Sequence, residues 1–538
     1  MRRASLLLML APCLAACPGE PGAVTDAGVS GDGEAIDAAR PAPVVDTPSG
    51  PVRGVAGPGY REFLAIPYAM PPVGELRWRP PRPMPRWTEP RDATRRPAAC
   101  PQRAFTLDTG EEDCLYVNVH TPDPPPEDAP VMVWLHGGGF IFGEGVQTDG
   151  GTRGDVLAAA HGVVVVSVNY RLGPLGFFPH PALSSEDGAS SGNQGFEDQV
   201  AALRWVRDNV SAFGGDPANV TLFGESAGGL SACLHLVSPA SAGLFARIIA
   251  QSGLCDDPLP SAAQAETAAI ELGIRLGCDG AADASACLRE QTSDRIFDVD
   301  DAPTGATALL AERSWWPHVD GEVVPGQLRD LVAAGRLERV PTVLGWNADE
   351  GTLFVAAAEL EGLTVDETAY RDGLDVLAAR HGVDVADLLA AYPLDRYADP
   401  GAALAAALGH ATIACPSRRA AWLLAEHVEL RAYRFEFPRA EFQLPLERDL
   451  GAFHSAEIQY VFGHPAALGR TRHTGEDFAL HEMLAGYWTR FARTGDPDGD
   501  GAQAWPAWDP STDRHLVLDV EPRLDSAADR DACALWDR

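Results

Sequence analysis

The sequence predicts an α/β fold in which a mostly parallel central sheet is flanked by helices. Two observations predict it. From residue 131 onward, short runs of β-branched residues alternate with helical stretches, a pattern typical of parallel sheets. Glycine-rich turns directly follow two of these runs, at 136–139 and 224–228. The Ala-rich segments 255–335 and 350–430 are expected to be helical insertions that cap the C-terminal edge of the sheet.

The predicted elements follow one another in a regular order. The predicted strands cover residues 131–135, 163–168, 220–223, 246–250, 341–345 and 432–437. Between the second and third strands, residues 197–213 carry apolar side chains at helical spacing, which predicts an amphipathic helix. The sequence shows no internal repeat and no second globular segment, so a single domain is expected over residues 44–538.

The first residues are predicted to be a targeting segment. Two arginines precede an apolar run that is too short to span a bilayer. The run ends in Leu-Ala-Ala-Cys17, which is similar to a bacterial lipobox, so residues 1–17 are interpreted as a lipoprotein signal peptide with a lipidated Cys17. Residues 18–43 would form a flexible tether. We therefore expect an exported, lipid-anchored protein of a bacterial cell envelope, with the outer membrane favoured because Pro18 follows the cysteine. The alternative is a secreted protein with an ordinary cleaved signal peptide.

Composition excludes several classes of function. The 538 residues carry a formal net charge of −34, which repels phosphate backbones and argues against a nucleic-acid partner. The chain contains arginine but no lysine, so mechanisms that need a Schiff-base, P-loop or Ser–Lys lysine are excluded. It contains neither a Cys-x-x-Cys pair nor a His-Glu-x-x-His motif, and no metal site is expected.

The segment Gly224-Glu225-Ser226-Ala227-Gly228 matches the Gly-x-Ser-x-Gly nucleophile elbow. In this motif a strand turns sharply into a helix, and only small flanking residues allow the neighbouring chain to approach. The match follows a predicted strand and precedes a helical stretch, which is the context that the motif requires. Ser226 is therefore the candidate nucleophile.

A second motif, His136-Gly137-Gly138-Gly139, also follows a predicted strand. The tetrahedral intermediate of ester hydrolysis develops an oxyanion that needs fixed N–H donors. Consecutive glycines let a backbone approach that oxygen closely. We expect the N–H groups of Gly138 and Gly139, with that of Ala227, to form the oxyanion hole; a plain glycine-rich turn is the alternative.

Further blocks accompany these two motifs, at 63–69, 71–77, 112–118, 169–173, 192–195 and 213–217. Together they resemble the type-B carboxylesterase family, which also contains the cholinesterases, from about Val44 to the C-terminus. The resemblance implies the α/β-hydrolase fold with helical cap insertions. It also implies hydrolysis of small-molecule carboxylic esters without a metal or organic cofactor.

The resemblance supplies the partners of the serine. The segment Asn347 to Thr352 is similar to the one that carries the family's triad acid, and Glu350 occupies that place, with Asp349 as the alternative. The segment 451–458 is similar to the histidine segment, with His454 as general base. The order serine, acid, histidine is also the one expected of this fold. The histidines elsewhere in the chain are interpreted as structural or surface residues, among them His136, His318 and His473.

The resemblance also implies three disulfides, Cys100–Cys114, Cys278–Cys287 and Cys415–Cys533. Two further cysteines, Cys233 and Cys255, have no partner in the family pattern. Cys233 lies on the predicted helix after the nucleophile and is expected to be a buried free thiol.

Two other features bear on function. The Cys100–Cys114 loop is shorter than in the cholinesterases and lacks a tryptophan that would stack on a quaternary ammonium, which argues against choline esters. Residues 496–501 are similar to the first half of an EF-hand loop, but the twelfth position is Ala507, so a surface turn is expected rather than a calcium site. Two functions stay as alternatives, an amide or carbamate hydrolase with the same triad and a non-catalytic binding or adhesion protein.

Overall fold

The computed structural model describes residues 42–104, 107–148, 150–187, 192–300, 314–438, 448–464, 474–526 and 529–537. The predicted signal peptide with Cys17, most of the predicted tether and His473 lie outside the described residues. Within the described ranges, no helix combines the length and the hydropathy that a membrane crossing requires.

Strands and helices alternate through most of the described chain. The strands are β1 (Val44–Thr47), β2 (Gly50–Arg53), β3 (Val55–Gly57), β4 (Tyr60–Pro67), β5 (Arg91–Asp92), β6 (Gln102–Ala104), β7 (Leu107–Thr109), β8 (Tyr116–Pro122), β9 (Ala129–Leu135), β10 (Val164–Val168), β11 (Gly215–Glu225), β12 (Arg247–Gln251), β13 (Thr342–Asn347), β14 (Leu430–Phe435), β15 (His515–Leu518) and β16 (Arg523–Asp525). The helices are α1 (Asp155–His161), α2 (Gly173–Gly176), α3 (Pro181–Asp187), α4 (Gln194–Asn209), α5 (Ala227–Val237), α6 (Ala262–Arg275), α7 (Ala284–Glu290), α8 (Ser293–Val299), α9 (Leu328–Ala333), α10 (Thr352–Leu360), α11 (Glu367–His381), α12 (Val385–Ala391), α13 (Pro400–Gly409), α14 (Cys415–Ala425), α15 (Ile458–Phe462), α16 (Gly475–Thr494) and α17 (Arg530–Trp536).

The large sheet has the strand order β16-β15-β14-β13-β12-β11-β9-β10-β8-β4-β3. Its central strands, from β10 to β15, are parallel. Antiparallel strands complete both edges, with β8, β4 and β3 on one side and β16 on the other. The sheet is thus mixed, and the predicted α/β class with a mostly parallel centre is confirmed. All six predicted strands overlap observed ones, and the predicted helix 197–213 corresponds to α4 with a 3₁₀ turn after it.

Both faces of the sheet are buried, and β9 shows why its sequence is apolar at every position. Val131, Val133 and Leu135 pack into one hydrophobic cluster, while Met132 and Trp134 pack into another. Successive side chains of a strand point to opposite faces, so the two clusters lie on opposite sides of the sheet. A strand covered by helices on both faces is expected to be apolar throughout rather than alternating.

The predicted cap insertions are helical. Helices α6 to α9 connect β12 to β13, and α10 to α14 connect β13 to β14. Leu353 and Phe354 of α10, together with Ile413 of the π turn before α14, line the same cavity as Ser226. The insertions therefore wall the cavity into which the carboxyl ends of the central strands open.

Four disulfides are present among the described residues. Three are the pairs that the resemblance implies, Cys100–Cys114, Cys278–Cys287 and Cys415–Cys533. The fourth, Cys233–Cys255, corrects the expectation of a free thiol at Cys233. Strands β11 and β12 are parallel neighbours, so the loop after β12 crosses the helix that follows β11 and brings the two Cα atoms to 5.8 Å. Disulfides of this number are typical of exported proteins.

Candidate active site

The predicted nucleophile lies at a sharp turn between β11 and α5. Ser226 has φ 56° and ψ −119°, a conformation that residues with side chains rarely adopt. Its N–H donates to the carbonyl oxygen of Gln251, 2.9 Å away, and its own side chain is partly exposed. A Cβ atom at Gly228 would come within 2.0 Å of the carbonyl oxygen of Leu135, so this position requires glycine. The turn thus has the local geometry that the elbow motif predicts.

The second motif forms a tight turn beside this elbow. Gly138 and Gly139 have φ of 95° and 61°, and a Cβ atom at Gly138 would come within 2.0 Å of the carbonyl oxygen of Phe142. A Cβ atom at Gly137 would lie 3.1 Å from the Cβ atom of Ser226, which places the two motifs in direct contact. Within the described chain, the N–H groups of Gly138, Gly139 and Ala227 donate to no protein acceptor. Three free donors next to the serine are what an oxyanion hole needs.

His136 holds the start of this turn. Its ring stacks on Tyr170 with a centroid distance of 4.2 Å, and its Nδ1 lies 2.9 Å from the carbonyl oxygen of Gly137. The hydroxyl of Tyr170 donates to the carbonyl oxygen of His136. Burial lowers the pKa of His136 to about 4, so the ring is neutral at physiological pH and Nδ1–H is the donor to Gly137. Its position agrees with the structural role expected from the sequence.

His454 and Glu350 are in direct contact. Nδ1 of His454 lies 2.7 Å from Oε2 of Glu350, and both side chains are buried. The other oxygen of Glu350 accepts hydrogen bonds from the hydroxyl of Ser252 at 2.6 Å and from the N–H of Asn347 at 2.7 Å. The carboxylate of Asp349 instead accepts the N–H of Ala452 at 2.9 Å. Of the two neighbouring acids, Glu350 is therefore the one that faces the imidazole.

The other ring nitrogen of His454 faces a second carboxylate. Nε2 lies 3.1 Å from Oε1 of Glu225, which also accepts a hydrogen bond from the hydroxyl of Ser455 at 2.7 Å. No hydrogen bond joins Nε2 to the hydroxyl of Ser226 within the described residues. Burial alone would lower the pKa of His454, but the charges of Glu225 and Glu350 outweigh it and raise the pKa. For Glu225, an acid, burial has the opposite effect and raises the pKa.

Glu457 forms a third buried carboxylate near the histidine. It accepts hydrogen bonds from Nε2 of Gln251 at 2.9 Å and from Nδ2 of Asn347 at 2.7 Å. Sequence reasoning identified neither Glu457 nor Ser252, and it named Glu225 only as part of the elbow motif. Proximity along the chain to Ser226 and His454 was the available signal for Glu225 and Glu457.

The elbow, the glycine turn and His454 share one cavity of about 680 Å³. Ser226, His454, Glu225, Gly138 and Gly139 all line it. Much of the remaining wall is aromatic, contributed by Phe142, Trp315, Trp316, Phe354 and Phe453. A cavity of this size with a few polar groups at its base is typical of a small-molecule site.

Two other sequence-based candidates lie elsewhere. His318 does not line the cavity, and its backbone is hydrogen-bonded to the side chain of Asn193. In the predicted surface turn 496–501, Asp496 pairs with Arg431 at 3.2 Å and Asp498 accepts the N–H of Trp505 at 2.7 Å. These carboxylates therefore hold the turn together.

Comparisons with known proteins agree with this geometry. A profile of the carboxylesterase family matches residues 41–536. The chain is 34% identical to the para-nitrobenzyl esterase of Bacillus subtilis (strain 168), over 90% of this chain and 96% of the relative. It is 33% identical to the cocaine esterase of Oryctolagus cuniculus (92% and 95% covered) and 32% identical to the cholinesterase of Mus musculus (92% and 86% covered). Similarity of this extent shows that the chain is a carboxylic ester hydrolase and belongs to the carboxylesterase family.

Proposed function

We propose that this protein is a serine carboxylesterase that forms an acyl-enzyme on Ser226, with His454 as general base and acid and Glu350 as the triad acid. The main support for the proposal is the contact of 2.7 Å between Nδ1 of His454 and Glu350, because His454 lines the same cavity as Ser226. The N–H groups of Gly138, Gly139 and Ala227 would bind the oxyanion.

In the first half-reaction, the hydroxyl of Ser226 attacks the ester carbonyl while Nε2 of His454 takes its proton. Glu350 accepts the Nδ1–H, which fixes the tautomer and stabilises the imidazolium. The alcohol leaves with the proton from Nε2. Water then attacks the acyl-enzyme while Nε2 takes its proton, the bond between the acyl carbon and the serine oxygen breaks, and Nε2 returns the proton to Ser226 as the carboxylic acid is released.

For this sequence of steps, Nε2 must exchange Glu225 for the serine hydroxyl. Glu225 precedes Ser226 in the chain, and both residues line the same cavity as His454, so we expect a rotation of the imidazole to bring Nε2 from the carboxylate to the serine O–H that it must accept. A neutral imidazole is needed for proton abstraction. Because the pKa of His454 is raised to about 9, the neutral imidazole predominates only at alkaline pH, and activity should be favoured there.

The test compares wild type and Ser226→Ala on p-nitrophenyl esters of graded acyl length and on a matched anilide. Without the attacking oxygen, turnover is expected to fall by several orders of magnitude, down to the residual acceleration from the oxyanion hole and substrate binding. Labelling by an organophosphate should disappear in parallel. Retention of full esterase activity by a pure Ser226→Ala protein would show that another group is the nucleophile. A preference of the wild type for the anilide would favour the amide hydrolase.

We also propose that residues 1–17 are a lipoprotein signal peptide, that residues 18–43 tether the enzyme, and that residues 44–538 form one carboxylesterase domain. The Leu-Ala-Ala-Cys17 sequence and the Gly- and Pro-rich composition of the tether support the first two assignments. The natural substrate would be a small-molecule ester other than a choline ester. The absence of a tryptophan from the Cys100–Cys114 loop supports that restriction.

A further inference from the structure

The disulfide Cys233–Cys255 connects the helix that begins at the nucleophile to the loop that follows β12. Cys233 lies on the second turn of α5, and Cys255 lies four residues after the end of β12. Both cysteines are buried. The three disulfides that the resemblance implies do not include this pair.

Residues 251–255, called loop 251–255 below, run from the last residue of β12 to the cysteine that is linked to α5, and they contact the proposed catalytic groups at three points. The carbonyl oxygen of Gln251 accepts the N–H of Ser226 at 2.9 Å. The hydroxyl of Ser252 donates to Oε1 of Glu350 at 2.6 Å. Leu254 lines the cavity beside Ser226. A displacement of this loop would thus reach the nucleophile, the triad acid and the substrate wall together.

The backbone of the loop needs external support. Ser252 and Leu254 have φ of 49° and 48°, a region in which residues with side chains persist only when surrounding contacts hold them. Between them, Gly253 packs directly on α5, because a Cβ atom there would lie 2.8 Å from the carbonyl carbon of Gly229 and 3.0 Å from Sγ of Cys255. The disulfide is the covalent part of this packing.

We infer that the Cys233–Cys255 disulfide is a positioning element for the reaction. It holds loop 251–255 against α5, so that Ser252 stays hydrogen-bonded to Glu350 and Leu254 keeps its place in the cavity wall. Neither cysteine contacts the reacting atoms, so both act through these two residues. The inference rests on the roles proposed for Ser226, Glu350 and His454.

The test is the double variant Cys233→Ala/Cys255→Ala, compared with Cys278→Ala/Cys287→Ala. The control removes a disulfide that joins the end of α6 to α7 and does not line the cavity. Because a misplacement of about 1 Å can reduce turnover by about 100-fold, we expect kcat of the first variant to fall between about 10- and 100-fold. We expect KM for a short p-nitrophenyl ester to change less, and the ratio of kcat/KM for long and short acyl esters to change. The control should keep both kcat and this ratio.

A combined variant shows whether the disulfide acts through Ser252. If it does, adding Ser252→Ala to Cys233→Ala/Cys255→Ala should cost little more activity than either change alone, because both remove the same support of Glu350. A folded double cysteine variant with the kcat and acyl preference of wild type would overturn the inference.

If the double cysteine variant does not fold, Ser252→Ala and Leu254→Ala are measured with the disulfide intact. Unchanged kcat in the first and unchanged acyl preference in the second would then overturn the inference. Ser226→Ala in the same assay distinguishes a failure of this inference from a failure of the proposed function. Retained turnover there contradicts the proposed function itself, whatever the cysteine variants do.

Discussion

Replacement of Glu225 by glutamine should move the acid limb of the pH–rate profile to lower pH. The carboxylate lies 3.1 Å from Nε2 of His454, and its negative charge stabilises the imidazolium form, which cannot accept the proton of Ser226. Glutamine keeps the shape of the side chain and its hydrogen bond with Ser455 but removes the charge. His454 should then lose its proton at lower pH.

The size of the effect follows from this distance. At an effective dielectric constant of about 20, a full charge at 3.1 Å stabilises the imidazolium by about 5 kcal/mol. This is an upper limit, because burial raises the pKa of Glu225 and keeps it protonated for part of the time. The remaining effect should be about one to three pH units, the range seen for close charge pairs, at about 1.4 kcal/mol per unit.

The measurement is kcat/KM for a neutral p-nitrophenyl ester between pH 4 and pH 10, since the inflections of kcat/KM report the groups of the free enzyme. Glu197→Gln is a matched control, because burial raises the pKa of Glu197 to about 7 although Glu197 does not line the active-site cavity. An acid limb that stays in place in Glu225→Gln, or that moves equally in the control, would refute the assignment of Glu225 as the group that raises the pKa of His454.

Three further changes test other parts of the site and its location. Glu350→Gln should lower kcat by on the order of 10⁴-fold because the carboxylate no longer fixes the tautomer of the imidazole, whereas Asp349→Asn should keep most activity. The reverse order in steady-state assays would identify Asp349 as the acid. Gly138→Ala should lower kcat by about 10²- to 10³-fold with a smaller effect on KM, because the added Cβ atom would meet the carbonyl oxygen of Phe142 and displace the N–H donors of the turn. Full activity of this variant would place the oxyanion donors elsewhere. Cys17→Ser should release the enzyme from the membrane fraction without changing its kcat, and an unmodified mature N-terminus in mass spectrometry of the wild type would contradict lipid anchoring.

Local sequence patterns predicted most of the central sheet and the two turns of the site. Ser226 and the glycines at 138–139 lie in short motifs whose geometry depends on residues a few positions away. The steric reason is local at Gly138, where a Cβ atom would meet the carbonyl oxygen of Phe142, whereas at Gly228 it would meet the carbonyl oxygen of Leu135 on a different strand. His454 and Glu350 could not be found in this way, because they lie 104 residues apart and meet only through the order of the strands. The resemblance to a family was needed to select them.

The features that the sequence did not predict depend on packing between distant segments. The antiparallel edges of the sheet arise from strand pairing that short-range periodicity does not encode. The bond of Cys233 to Cys255 requires β12 to lie beside β11 and two glycines, Gly229 and Gly253, to let the loop approach the helix. The contact between Glu225 and His454 depends likewise on the segment 451–458 reaching the elbow. None of these contacts has a signature in residue spacing.

The two carboxylates at His454 have different surroundings, and the difference explains why only one of them suits the role of triad acid. Glu350 faces Nδ1 and accepts two further hydrogen bonds, from Ser252 and Asn347, which hold its carboxyl group in a fixed orientation. Glu225 faces Nε2, the nitrogen that must reach the serine, and among the described residues its other donor is Ser455. A carboxyl group in that place competes with Ser226 for Nε2, and the pKa of Glu225, which burial raises, determines how much negative charge it places beside the imidazolium. In the proposed mechanism, Glu350 can therefore stay in contact with His454 throughout the cycle, whereas Glu225 has to release it before each proton transfer.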